Sequence, residues 1–286
     1  MTPLSLEGLW GSTVPPGAVG STLVWIFLAA HVLADFLFQT DGVFQGRLDG
    51  QARAYLVHGL THLVLSWALS VAAWSPAVLL AGVVVAAVHV AVDVAKDGLL
   101  RVRARLDRGA PAGGAAGAWA FVADQLVHVW VIVFVVALIP PGFLRPWTGA
   151  DLLLRFVAGA SAAQVLAHEE AWRLAAVYLA VVLGGAVLVR LVLQAARTVP
   201  AGTGFTATGE RQVPRTGTYV GMVERALILS FLLLGSHAAV GFVIAAKSIA
   251  RFRELEDRAF AEYYLVGTLL SVLVALGGYL VLRPAG

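Results

Sequence analysis

Ser21–Thr40 reads STLVWIFLAAHVLADFLFQT. Its one charged residue, Asp35, stands four positions after its one histidine, His31. Four residues make one helical turn, so the two side chains share a face. A carboxylate and an imidazole in a segment long enough to cross ~30 Å of hydrocarbon are costly there and point to function. Three further apolar segments repeat the device: His58/His62 in Ala54–Trp74, His89/Asp93 in Ala77–Leu100, and Asp124/His128 in Ala118–Ile139.

Spacing within a helix shows only a shared face, whereas depth shows whether four helices can share a site. Counted from the helix ends that join the arginine-bearing loops, His31, His62, His89 and His128 fall roughly 12–16 Å deep at ~1.5 Å per residue. Asp35, His58, Asp93 and Asp124 fall roughly 6–10 Å deep on the same count. The order of each pair reverses as successive helices alternate direction, so the two layers match on all four helices.

The rest of the chain agrees with a membrane setting. Of its 286 residues 59% are hydrophobic and 13% charged, about half the charge of an ordinary soluble domain. Met1–Gly20 has an acidic residue, Glu7, and no basic one, so it is not expected to be a secretory signal. There is no cysteine, which excludes disulfides and thiolate metal ligands. A net charge of +3 gives no support to a nucleic-acid partner. Membrane lipids are the expected partners, and the oligomeric state is not legible.

The expected fold is an all-α polytopic membrane helix bundle of about seven spans. A four-helix half carries the His/Asp site, and a three-helix half follows. Residues 1–145 form the four-helix bundle, 146–196 an interfacial helix and the fifth span, 197–218 a polar linker, and 219–286 a C-terminal two-helix hairpin. The later spans are read as Ala171–Gln194, Tyr219–Ala246 and Glu262–Leu282, with Asp151–Ala167 interfacial. The basic loops at Arg47–Arg53 and Arg101–Arg108 put the site on the cytoplasmic side by the positive-inside rule. One conflict stands in the back half. With Tyr219–Ala246 as a single span, the basic run Lys247–Arg258 lies across the membrane from Arg197–Arg215.

Imidazole nitrogen and carboxylate oxygen suit zinc, manganese or iron. The eight candidate ligands are His31, Asp35, His58, His62, His89, Asp93, Asp124 and His128. They exceed the needs of one tetrahedral ion and would serve one or two divalent transition-metal ions, zinc first. A proton relay or ion path, and a purely structural His–Asp network, are the alternative readings. Gln39 and Asp97 extend the polar faces, and Lys96 and Asp97 also fit as snorkelling interfacial residues. Gln125 is expected to face away from Asp124. His168-Glu169-Glu170 opens a helix, where the dipole favours acidic groups. In the back half Glu224, Arg225, Lys247 and Arg251 are either structural ion pairs or, with Gln39, substrate contacts.

HVLADFLFQTD (His31–Asp41), the HxxxD at His89–Asp93 and the DQxxH at Asp124–His128 resemble an uncharacterised bacterial inner-membrane family known only as domain of unknown function 3307. GMVERALIL and GFVIAAKSIARF in the back half resemble the C-terminal part of its members. The resemblance implies a bacterial cytoplasmic membrane location and no established activity. The His/Asp helices resemble, more loosely, membrane-bound metal-dependent hydrolases. The serine-bearing ligand pattern of the ceramidase-like hydrolases is missing here.

The leading expectation is a metal-dependent membrane hydrolase for a lipid-like or amphiphilic substrate, with Asp35 or Asp97 as general base. The alternatives are a divalent-metal or proton transporter or channel, and a non-catalytic scaffold. Apolar Val24 and Phe27 beyond His31 argue for a pocket open to one side.

Overall fold

In hydrocarbon a helix satisfies its own backbone N–H and C=O groups, so apolar segments of this length fold as helices. The computed structural model describes residues 16–106, 115–140, 143, 148–195 and 215–283, with no strand among them. The described helices are α1 (Pro16–Phe36), α2 (Asp41–Leu48), α3 (Ala52–Leu69), α4 (Pro76–Leu106), α5 (Ala115–Ala137), α6 (Thr148–Ala158), α7 (Ala162–Ala167), α8 (Glu169–Leu179), α9 (Gly185–Ala195), α10 (Arg215–Leu233), α11 (His237–Ala250) and α12 (Arg258–Leu282). Among the described residues five stretches are long and apolar enough to cross a bilayer: Val19–Phe36, Pro76–Arg103, Gly117–Ala137, Glu169–Ala195 and Arg258–Leu282. The chain is an all-α membrane helix bundle.

Several boundaries differ from expectation. The first span ends at Phe36, and a short helix missed in the sequence, α2, follows it. The Thr40 hydroxyl starts α2 by accepting from the Val43 N–H at 3.4 Å. The interfacial segment is two helices, α6 and α7. Asp151 links them, accepting from Arg155 Nε at 2.7 Å and from the Ala162 N–H at 2.8 Å. These donors, Arg155 first, hold its carboxyl below the ordinary aspartate pKa. The expected single span Tyr219–Ala246 is broken between α10 and α11, where Gly235 has φ +70°. Other residues adopt that conformation only with strain. The Gly/Ala-rich linker after Arg108 lies outside the described residues apart from its last few positions. So does the polar linker at 197–218, apart from Arg215–Thr218, which open α10.

The described chain forms two compact units, Met1–Asp93 with His128–Ala176, and Val94–Val127 with Val177–Gly286. The first unit has an apolar core. Leu23, Ile26 and Phe27 of α1 meet Val78, Ala81 and Val85 of α4, Ile132 and Val136 of α5, and Leu166 of α7. The Thr22 hydroxyl donates to the Leu166 carbonyl at 3.0 Å and ties α1 to α7. Helices α3 and α4 are joined by a tight turn, held by Trp67 Nε1 donating to the Leu79 carbonyl at 3.1 Å and Trp74 Nε1 to the Trp67 carbonyl at 2.8 Å. Gly59 lets α3 close on α4, since a Cβ there would lie 2.6 Å from Val90 Cγ2. Gly59 follows His58 and Val90 follows His89, so this close approach sits at the level of the histidines.

In the second unit α10 and α11 form an antiparallel hairpin. Glu224 and Lys247, at matching distances from the turn, pair at 2.6 Å. Ser248 and Tyr264 share a hydrogen bond of 3.1 Å that ties α11 to α12. The hairpin removes the topological conflict, because Arg251 and Arg253 return to the end of the unit from which α10 starts. Buried Arg225 is met by a π-helical segment, Ala180–Gly184. Its Nε donates to the Val181 carbonyl at 3.0 Å and its Nη2 to the Val182 carbonyl at 2.9 Å. A π segment shifts the backbone pairing pattern, which makes these carbonyls available to a guanidinium.

Two outcomes follow. Gly59→Leu should lower stability by about 1–3 kcal/mol through overpacking, read by unfolding in mixed micelles, and Val90→Ala should recover part of the loss. Because the chain is cysteine-free, single cysteines report sidedness cleanly. Cysteines at Gly217 and Arg253 should react with an impermeant maleimide from one face of the membrane, and a cysteine at Arg283 from the other.

Candidate metal centre

Four helices of the first unit bring the ring nitrogens together: α1 supplies His31 and Asp35, α3 His58 and His62, α4 His89 and Asp93, and α5 His128. Asp35 Oδ1 lies 2.9 Å from His62 Nε2, 3.2 Å from His58 Nε2 and 3.5 Å from His89 Nε2. Its Oδ2 lies 3.6 Å from His31 Nε2. Asp93 Oδ2 lies 3.2 Å from His89 Nε2 and 3.4 Å from His58 Nε2. The Nε2 atoms of His58 and His89 face each other at 3.0 Å.

The rings stack in depth as the sequence spacing indicates. The His31, His62, His89 and His128 rings form one contiguous group around His31 and His89, with centroids 3.7 Å apart for His62–His89, 4.1 Å for His89–His128 and 5.2 Å for His31–His128. His58 joins them alongside the two carboxylates. One turn further in, the same helices present Phe27, Val85 and Ile132, all buried in the apolar core, and Ser66 on α3. The cluster therefore ends against hydrocarbon on that side. Asp35 is its most open member, with 12% of its side chain exposed against 1% for His58.

Arg47 is the residue beside the cluster that sequence reasoning missed, having served there only to mark a basic loop. It is buried on α2, and its Nη2 meets Asp93 Oδ1 at 2.7 Å. With the Gln39 amide turned so that both its ends are satisfied, its oxygen accepts from Arg47 Nη1 at 2.7 Å and its nitrogen donates to the Asp35 carbonyl at 3.2 Å. The Tyr55 hydroxyl donates to the Arg47 carbonyl at 3.0 Å, and its ring lies 5.7 Å from the guanidinium. Only its position bears on the cluster: a basic residue on a short segment between two ligand-bearing helices. Gln39, expected as a substrate contact, sits inside this brace.

The donor set fits a transition metal. Tetrahedral coordination at ~2.0–2.1 Å separates ligand atoms by about 3.4 Å, and octahedral coordination by about 3.0 Å. The nitrogen–oxygen and nitrogen–nitrogen separations of the cluster, 2.9 Å to 3.6 Å, are of that size. Of the two facing Nε2 atoms of His58 and His89, at least one carries no proton, so a lone pair is directed into the cluster. His31, Asp35, His62 and His89 form one set whose ligand atoms lie within 4.8 Å of one another, and His58, His89 and Asp93 form another. His89 has one Nε2 lone pair and completes only one of these sets at a time. Imidazole-rich donors suit zinc, manganese or iron rather than magnesium or calcium.

The remaining expected site residues belong to the second unit. Asp97 is buried there on α4. Asp124 accepts from Lys96 Nζ at 3.0 Å and from Gln125 Nε2 at 3.3 Å. Lys96 is thus an ion-pair partner rather than only a snorkelling residue, and Gln125 turns towards Asp124 rather than away from it. Glu224 and Arg225 do not pair with each other, since Glu224 takes Lys247 and Arg225 takes backbone carbonyls. Arg251 is exposed and bonds Glu254 at 2.9 Å. Glu169 accepts from the Ser21 hydroxyl at 2.7 Å, which gives the His168-Glu169-Glu170 run a structural task.

Residues 23–143 match the family model described as "Protein of unknown function (DUF3307)". The matched segment contains every histidine and aspartate of the cluster. No curated protein and no solved structure matches the chain.

Proposed function

We propose that the protein, whose residues 23–143 form a DUF3307 region, is a metal-dependent integral-membrane hydrolase acting on a lipid-like or amphiphilic substrate. One observation carries the reading: four imidazole Nε2 atoms and two carboxylates converge at coordination-shell distances inside an apolar helix bundle. The residues that would hold the metal are His31, Asp35, His58, His62, His89 and Asp93, with His128 packed against them. They suit one or two divalent ions, zinc first, with manganese or iron accepted by the same donors. Bound there, such an ion would supply Lewis acidity towards a carbonyl or phosphoryl oxygen and would activate water.

The chain's own residues supply the rest. Asp35, the most exposed of the cluster, is placed to take the proton of an attacking water and return it to the leaving alcohol or amine. It is preferred to Asp97 for this role because it stands among the imidazoles. The histidine layer holds Asp35 from three sides. Phe27, Val85 and Ile132 exclude water from behind and would trap hydrolysis in a low-dielectric pocket.

That closure favours an enzyme over a transporter, which needs access from both sides. The location proposed is the bacterial cytoplasmic membrane. The pocket would open towards the cytoplasm, on the side of Arg47 and Arg53.

Elemental analysis of purified protein should find about one or two transition-metal ions per chain, within the set size the donors allow. His62→Ala and His89→Ala should lower that content. Reconstituted protein should cleave an amphiphilic ester, amide or phosphoester only when metal-loaded. Asp35→Asn should reduce turnover by about 10²-fold or more while leaving helix content unchanged. Ion flux across proteoliposomes without turnover in a broad lipid panel would make the protein a transporter, and a metal-free protein after zinc or manganese reloading would end both readings.

A further inference from the structure

We infer that Arg47 is a positioning residue of the centre, one that selects which oxygen of Asp93 faces the imidazoles and ties that choice to the placement of Asp35. The inference rests on the metal-centre reading above and adds to it a residue outside the ligand set. Three observations carry it.

The first is the division of the Asp93 carboxylate. Oδ1 is taken by Arg47 Nη2 at 2.7 Å, while Oδ2 points to His89 at 3.2 Å and His58 at 3.4 Å. A carboxylate without the arginine can rotate about its terminal torsion and present either oxygen, or both. With one oxygen fixed by a charge-assisted bond, only the other is presented to the ring nitrogens.

The second is the second arm of the fork. Nη1 meets Gln39, whose amide reaches the Asp35 carbonyl. A guanidinium is planar, so its two arms cannot adjust independently. The end of α1 that carries Asp35 and the turn of α4 that carries Asp93 are thereby referenced to one rigid group.

The third is the way Arg47 itself is held. Its carbonyl accepts from Tyr55 at 3.0 Å. The preceding residue, Gly46, is buried so closely against α3 that a Cβ would lie 2.8 Å from Ala54 Cβ. The side chain is only 7% exposed and its partner Asp93 2%. Burying such a pair costs desolvation that an apolar pair would avoid, so stability alone does not account for it. Groups that orient metal ligands in this way commonly change metal affinity 10–100-fold when removed.

The test uses the full-length protein in detergent, with zinc as the probe and a chromophoric chelator as competitor. Arg47→Gln should weaken zinc binding about 10–100-fold. Arg47→Lys, which keeps the charge and loses the fork, should fall between it and the wild type. A second readout needs no metal. In the zinc-free protein the ¹⁵N imidazole signals of His58 and His89, which face Asp93, should move in Arg47→Gln, while that of His237, which lies outside the cluster, stays in place. Wild-type zinc affinity together with unmoved His58 and His89 signals in Arg47→Gln overturns the inference and leaves the metal centre standing. Failure of the wild type to bind zinc overturns the metal reading, and the imidazole signals alone then decide the role of Arg47. If Arg47→Gln does not fold, Arg47→Lys is judged by the same two readouts, and wild-type values in both overturn the inference.

Discussion

A carboxylate in hydrocarbon must find positive charge or hydrogen-bond donors, or it will not stay ionised there. Asp35 meets this requirement with imidazoles from α1, α3 and α4, and much of the first unit serves that meeting. The α3–α4 turn fixes the two helices in antiparallel register. Gly59 lets them close at the level of the rings. The core of Leu23, Phe27, Val78 and Ile132 holds α1 and α5 against α4 at the depth where the histidines begin. Asp93 meets the same demand differently, through Arg47 on a helix of eight residues. One carboxylate is thus surrounded by titratable rings and the other is neutralised by a permanent cation. The two acidic groups of the centre are therefore not equivalent.

The second unit faces the same electrostatic constraint with a different solution. Arg225 is a buried cation whose immediate neighbour, Glu224, is committed to Lys247. Its donors go to main-chain carbonyls made available by a π segment in the neighbouring helix. Chemistry is not needed to explain this arrangement, since a buried guanidinium and a local irregularity of the backbone satisfy each other. The contrast with the first unit is informative. There the polar groups are lone-pair donors in excess, whereas here they are balanced donors and acceptors.

The candidate site was legible because ligand pairs at one-turn spacing need no tertiary knowledge to be recognised. Matched depth then placed His31, His62, His89 and His128 in one layer from helix lengths alone. What stayed hidden depends on contacts between distant parts of the chain. Arg47 looked like any basic loop residue, since nothing local marks a side chain that turns inward from a short helix. The break at Gly235 was masked because Leu227–Leu234 and Ala238–Ala246 are apolar on either side of the short Gly235-Ser236-His237 interruption and together have the length of a span. Gln125 was misjudged on helical geometry alone, because a flexible amide can reach back to the carboxylate of the preceding residue.

The hairpin of α10 and α11 bears on how the chain is made. Helix α11 has 14 residues and carries Lys247, too short to span a bilayer by itself. Helix α10 carries Glu224 and Arg225 near its middle, an unfavourable load for a helix entering alone. Together they cancel one pair of charges, and the tight turn at Gly235 keeps them side by side. The biosynthetic machinery would therefore have to release the two helices into lipid as one unit, after the whole of α11 has left the ribosome. Synthesis of this part of the protein is thus subject to a delay that the four-helix front does not impose.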